Sequence, residues 1–204
     1  SQSSTQEVSP DSIASELTRI LGDKDLVFRQ GFVWNAIISG QSPWVAKYVK
    51  GEGSKYGAGQ IMSTEMQQFL EVRAVMGDDV LLEQIVFRLE DRGTPMMLQE
   101  KLNLKDWSAL GAHSDGVLED VEAAISRDPE NRSQLHAFLD RVTRLEDEKG
   151  LILDLSGDNV VFRLDAAGKL QIKILDYGCT TRETDDPDRL KQLHEHAEKL
   201  RNLT

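Results

Sequence analysis

Apolar positions change their spacing along this chain, and the changes divide it into elements. The first dozen residues, Ser1 to Ser12, are mostly polar and read as a frayed terminus. Ile13, Leu17 and Ile20/Leu21 then recur at three- and four-residue steps, predicting a helix over Ser12–Leu21 that Gly22-Asp23 ends. Leu26–Gln30 and Phe32–Ser39 read as strands around Gly31, Gly40-Gln41-Ser42-Pro43 as a turn, and Trp44–Val49 as a third strand. Glycines 51, 53, 57 and 59 mark a loop. Ser63 is the expected N-cap of a helix that runs to about Met76 and stops at Gly77-Asp78. Leu81–Leu89 and Pro95–Leu102 complete a five-stranded antiparallel sheet with one helix.

Beyond a boundary near Asn103 the pattern becomes helical. Asp115–Arg127 and Arg132–Lys149 are predicted helices, the second with Leu135, Phe138, Leu139, Val142 and Leu145 on one face. Leu151–Leu153, Val160–Leu164 and Leu170–Leu175 are short strands, with Ala166–Lys169 as a hairpin tip, and Asp188–Leu203 is a polar last helix. No internal repeat is present. The expected class is α+β.

Composition narrows the function. The 204 residues are 39% hydrophobic and 29% charged, enough to bury a core. A net charge of -11 argues against nucleic acid as partner, since no basic surface is available in bulk. No apolar run reaches the length of a membrane span, and no basic-then-apolar secretory signal opens the chain. The single cysteine, Cys179, rules out an internal disulfide and fits a reducing compartment. His113, His136, His194 and His196 have no regular metal spacing, and Trp34, Trp44 and Trp107 read as core or interface anchors.

The chemistry concentrates in one stretch. Asp154-Leu155 is followed by Asn159, then by the predicted hairpin, then by Asp176-Tyr177-Gly178. Asp and Asn are common turn residues, so either half alone says little. Together, in this order, they resemble the catalytic loop D-L-x-x-x-N and the metal-binding D-F-G triplet of protein kinases. That resemblance implies phosphoryl transfer, with Asp154 receiving the proton of an acceptor hydroxyl and Asn159 and Asp176 holding Mg²⁺.

The first half carries matching features. Val45-Ala46-Lys47 resembles the V-A-I-K strand of kinases with one residue removed, which makes Lys47 the expected partner of the ATP phosphates. Glu71 on the following helix is its expected ion-pair partner, with Glu65 as the alternative. Gln99, Glu100 and Leu102 fall where kinases join their lobes and would border adenine. Val33, Val45 and Val161 would sandwich the ring, and Gly31 is the one glycine left of the phosphate loop.

The resemblance implies a bilobal protein kinase-like fold: a segment with a short helix over residues 1–25, an N-lobe over 26–102, and a truncated, mostly helical C-lobe over 103–204. Ile152-Leu153 replaces the His-Arg that usually precedes the catalytic aspartate, so control by a phosphorylated activation loop is not expected. Cys179–Thr204 has room for a loop and one helix, with no A-P-E motif. This layout resembles the minimal kinases that bacteria deliver into host cells by type III secretion, the HopBF type favoured and the OspG/NleH type next. The implied function is an ATP- and Mg²⁺-dependent protein kinase acting in the host cytoplasm on a host protein, a heat-shock chaperone or a ubiquitin-conjugating enzyme among the candidates, with Ser/Thr acceptors favoured. A pseudokinase or interaction module, a small-molecule phosphotransferase and a nucleotidyl transferase on the same fold are the competing readings.

Overall fold

The structure, a computed structural model, describes residues 9–30, 34–49, 58–88, 95–111, 115–176, 179–181 and 186–203. It has an α+β architecture in two compact units. One comprises the chain up to Thr64 with Glu83–Leu102, and the other Glu65–Leu82 with Asn103–Thr204.

The first unit is a helix on a sheet. Helix α1, Pro10–Leu21, starts two residues earlier than the apolar spacing alone suggests, because Ser9 caps it and Pro10 sits at its first position. Strands β1 (Val27–Gln30), β2 (Trp34–Ile38), β3 (Trp44–Val49), β4 (Gln84–Arg88) and β5 (Pro95–Glu100) form an antiparallel sheet in the order β1-β2-β3-β5-β4. Alternation along the strands sorts their side chains by face. Ile37, Ala46, Met96 and Leu98 pack with Ile20 of α1, flanked by Ile13, Leu17, Trp44, Tyr48, Ile85 and Phe87. Val45 and Lys47 therefore belong to the opposite face.

Asp23, only 9% exposed, ties the end of α1 to the β2–β3 turn. Its carboxylate accepts the Ser39 hydroxyl at 2.6 Å and the amides of Asp25 and Gly40 at 3.0 Å. These bonds hold its pKa below the ordinary 3.8, the Ser39 bond contributing most.

The second unit is organised around α4, Pro129–Lys149. Its N-cap Asp128 accepts the Glu130 amide, and Gly150 ends it in the left-handed conformation at φ 66°. Leu135, Phe138, Leu139, Val142 and Leu145 pack with Phe69, Val72, Val75 and Met76 of helix α2 and with Val121, Ala124 and Ile125 of helix α3 (Asp115–Ser126). α2 spans Ala58–Met76, so it begins before Ser63, which lies inside the helix rather than capping it. The glycines read as one continuous loop end sooner: Ala58, Gln60, Ile61 and Met62 are adequate helix formers, and one glycine at 59 costs only about 1 kcal/mol.

Two small sheets complete this unit. Strands β6 (Ser108–Ala109), β8 (Val160–Leu164) and β9 (Leu170–Ile174) form one, and β7 (Leu151–Leu153) pairs with β10 (Cys179–Thr181) in the other. β6 and β10 have no counterpart in the sequence reading. The last helix, α5 (Pro187–Arg201), packs on α4, and its Leu193 and Leu200 are buried. Its His194 meets Glu146 at 2.9 Å, and Arg201 meets Asp140, Thr143 and the Leu139 carbonyl, each at 2.8 Å. Among the described residues no helix is long and apolar enough to cross a membrane.

Asn131, fully buried, joins three elements. Its amide nitrogen donates to the carbonyls of Ala124 and Gly168, and its oxygen accepts the Leu170 amide at 2.9 Å. Lys169 at the same hairpin tip pairs with Asp128 at 2.7 Å and also with Glu130.

Three outcomes follow for stability. Phe138→Ala should cost about 3–5 kcal/mol in denaturant unfolding, since the side chain has no exposure and leaves a cavity. Asn131→Leu should cost at least about 2 kcal/mol, because it leaves the Leu170 amide and two carbonyls unpaired. Asp23 has a lowered folded pKa, so its contribution is complete above 3.8 and disappears as the pH falls through the lowered value. Thermal melts against pH should therefore lose that part of their acid-side slope in Asp23→Asn.

Candidate active site

The loop after β7 is shaped by its own hydrogen bonds. Leu151, Ile152 and Leu153 are buried, and so is Leu155, which anchors the loop from below. Between these anchors Asp154 projects outward with 17% of its side chain exposed. Asp154 Oδ1 accepts the Ser156 amide at 2.8 Å, an Asx turn that fixes the carboxylate and leaves Oδ2 directed elsewhere. Gly157, at φ 59°, supplies the left-handed backbone that lets the loop reverse. Asn159 Nδ2 then donates back to the Asp154 carbonyl at 3.2 Å.

Asn159 and Asp176 are brought together by the hairpin between them. Val160 pairs with Ile174 in the β8–β9 register, so Asn159 comes opposite Leu175. The Asn159 carbonyl accepts the Leu175 amide at 2.7 Å and the Asp176 amide at 3.2 Å. Asp176 is exposed, and Asp154, Asn159 and Asp176 thus spring from one hydrogen-bonded backbone patch at one end of the small sheets. Tyr177 and Gly178 of the triplet lie outside the described residues.

The donor set fits a hard divalent cation. With its amide nitrogen committed to the Asp154 carbonyl, Asn159 presents Oδ1 as the remaining donor, and Asp176 contributes a carboxylate. Two protein oxygens are what Mg²⁺ takes when phosphates and water complete its shell. Among the described residues no group of three or more His, Cys, Asp and Glu assembles. A cation there would neutralise phosphate charge.

Gly111 is a residue that sequence reasoning passed over. A Cβ built on it would lie 2.0 Å from the Leu155 carbonyl oxygen and 2.8 Å from the Gly157 nitrogen. The strand leading into it is fastened to β8, with Ala109 paired to Val161 and the Leu110 amide on the Val160 carbonyl at 2.8 Å. Nothing local in Leu110-Gly111-Ala112 signals this, because the close approach is made by a loop more than forty residues on. Val161 itself is 3% exposed on β8. Arg189, in the first turn of α5, brings Nη2 to 3.8 Å from Asp154 Oδ2.

In the first unit the register groups another set. On β3 and β5, Val45 stands opposite Gln99 and Lys47 opposite Met97, which places Val45, Lys47 and Gln99 on the sheet face away from α1. Gln99 is 3% exposed. Glu100 faces the other way, opposite Trp44, and its side chain accepts the Glu83 amide at 3.3 Å. The Glu100 amide donates to the Glu83 carbonyl at 2.9 Å and the Lys101 amide to Pro43 at 2.8 Å. Two of the three amides from Glu100 to Leu102 are thus engaged inside the sheet. Gly31 and Val33 lie outside the described residues.

Glu71 is half-buried on α2, beside the stripe formed by Phe69, Val72 and Val75, and accepts from Gln67 Nε2 at 3.1 Å. It belongs to the second unit, whereas Lys47 belongs to the first. Of Glu65 only the helical backbone is described.

No family model and no curated protein matches this sequence. Among solved structures, the chain is similar to the kinase PK-1 of Cydia pomonella granulovirus, at 16% identity and a TM-score of 0.39 over 83% of this chain and 56% of that one. It is similar to a chain of the Chaetomium thermophilum CAK complex bound to ATP-gamma-S, at 18% identity and 0.41 over 89% and 54%. The kinase domain of PF14_0431 follows at 15% and 0.39 over 79% and 51%. The chain spans about half the length of these structures. At such values the likeness does not carry the site, which stands on the residues above.

Gly111→Ala should displace the loop it backs onto. The expected result is a loss of at least about 2 kcal/mol of stability, with the largest amide chemical-shift changes at Leu155, Ser156 and Gly157. Unchanged shifts there would show that the loop does not lean on Gly111.

Proposed function

We propose that this protein is an ATP- and Mg²⁺-dependent protein kinase. The observation that supports the reading is the Asn159 carbonyl accepting both the Leu175 and Asp176 amides, which joins the backbone of Asn159 to that of Asp176. Phosphoryl transfer needs little covalent chemistry from the protein, but it needs metal ligands and a proton acceptor in fixed relation. Asp154 Oδ2 receives the hydroxyl proton, and Asn159 and Asp176 hold Mg²⁺ against the phosphates. Lys47, on the face it shares with Val45 and Gln99, pairs with the α- and β-phosphates. Val45, Val161, Gln99 and Val33 border adenine. Glu100 and Leu102 offer it their remaining backbone groups, and Gly31 lies over the phosphates.

The acceptor is a hydroxyl of a host protein, Ser or Thr, by resemblance to the minimal type III effector kinases, with a chaperone or ubiquitin-pathway protein the first candidates to screen. The second reading is a pseudokinase. It draws on β1, whose Val27, Phe28, Arg29 and Gln30 put exposed bulky side chains just before Gly31, where phosphate-binding loops usually carry glycine.

Incubation with γ-labelled ATP and Mg²⁺ tests both readings. Wild type should transfer label, and Asp154→Asn, Asp176→Ala and Lys47→Ala should each lose at least about 100-fold in rate. ATP with Mg²⁺ should also raise the melting temperature, as binding to the native state requires. No shift and no transfer would favour the pseudokinase, and transfer surviving all three substitutions would refute the assigned roles.

A further inference from the structure

We infer that Arg189 of α5 is the cation that this protein sets against the phosphoryl group in flight, a role the catalytic loop itself leaves unfilled. The inference rests on the phosphotransfer reading above and adds a residue to it.

Charge bookkeeping raises the question. In the transition state, negative charge spreads over the three peripheral oxygens of the transferring group, and kinases and GTPases meet it with metal and a positioned cation. Here the stretch between Asp154 and Asn159 reads Leu-Ser-Gly-Asp, so it carries no Lys or Arg and adds a further acid, Asp158. Lys47, on the proposed reading, serves the α- and β-phosphates.

The structure places a guanidinium beside the proposed base. Arg189 Nη2 lies 3.8 Å from Asp154 Oδ2, the oxygen not used in the Asx turn. That separation is too long for a hydrogen bond, so Oδ2 remains able to accept a hydroxyl proton. An attacking hydroxyl sits about 3 Å from its base, and reacting atoms approach to about 3–3.5 Å. The phosphorus therefore falls about 6 Å from Oδ2, within reach of a guanidinium already beside that oxygen. Arginine matches phosphate oxygens with paired donors.

Its setting is not what helix stability would choose. Arg189 occupies the first turn of α5, the end where the helix macrodipole disfavours a cation. Leu193, one turn on at i+4, is buried, and Arg189 lies on the same side of α5 at its exposed first turn. The His194–Glu146 and Arg201–Asp140 contacts hold the helix in place. The Arg189 side chain is still 53% exposed, which leaves it accessible to a nucleotide.

The step balances simply. The acceptor oxygen bonds to the γ-phosphorus as the bond from that phosphorus to the β,γ-bridging oxygen breaks. ADP leaves with the electron pair, Asp154 Oδ2 takes the hydroxyl proton, and Arg189 stabilises the peripheral oxygens throughout.

The test uses the full chain, with Arg189→Ala, Arg189→Gln and Arg189→Lys beside Asp154→Asn. Calorimetry with ATP and then ADP, each with Mg²⁺, gives the affinity ratio. Label transfer from γ-labelled ATP to the chain's own hydroxyls and to water gives the rate. Arg189→Ala and Arg189→Gln should lower the rate at least about 100-fold. They should weaken ATP about 10-fold while leaving ADP affinity unchanged, and Arg189→Lys should recover part of both. Wild-type transfer that Asp154→Asn abolishes, with Arg189 variants matching wild type in rate or in ATP-over-ADP preference, overturns the inference and leaves the kinase reading intact. A faster Arg189→Ala likewise overturns it, since Arg189 would then be masking the base. Equal loss of ATP and ADP binding together with a lowered melting temperature assigns Arg189 a structural role, which also overturns it. Wild type that neither binds nucleotide nor transfers label overturns the inference and the kinase reading together.

Discussion

The carbonyl oxygen of Asn159 is the point on which the polar end of the second unit depends. It accepts two successive amides, those of Leu175 and Asp176, and so joins the beginning and the end of the β8–β9 hairpin. Once that junction is made, the side chain of Asn159 is committed as well, through its bond to the Asp154 carbonyl. Asp154, Asn159 and Asp176, separated by one loop and one hairpin, are thereby tied together through backbone groups. Below them the loop is held by buried Leu155 and by the close approach of Gly111, and beneath those by the core around α4. The site inherits its rigidity from packing that has nothing to do with its chemistry.

How much of this was legible depended on the range of the forces involved. β3, β7 and β8 have the bounds the sequence suggests, because each is a short apolar run set between strong turn residues. The five-stranded antiparallel sheet was legible for the same reason, whereas the helix that covers it is α1 rather than the one after β3. The start of α2 was not, since the glycine run invited a loop that the backbone leaves at Ala58. β6 and β10 are two and three residues long, too short to show a period, and they exist because β8 and β7 offer them edges. Asp154, Asn159 and Asp176 could be singled out as candidates because only one loop and one hairpin separate them. Gly111 and Arg189 could not, since what matters about each is a neighbour that only folding supplies.

In the first unit the sheet divides its labour by face. One side is sealed by α1 over Ala46, Met96 and Leu98, and the other carries Val45, Lys47 and Gln99. A single strand thus presents Ala46 to the helix on one face and Val45 and Lys47 on the other, with Ala46 small enough to sit flush beneath the helix. The network around Asp23 sets the end of α1, and with it the side of the sheet that is closed.

The hairpin tip at Gly168 and Lys169 has a practical bearing on engineering this chain. Reverse turns of this kind are ordinarily the safest places to graft an epitope or open the chain for permutation. Here the turn is sewn to α4 through Asn131, Asp128 and Glu130. Foreign sequence placed there would unpick the seam that keeps both strands aligned, and fusions belong elsewhere.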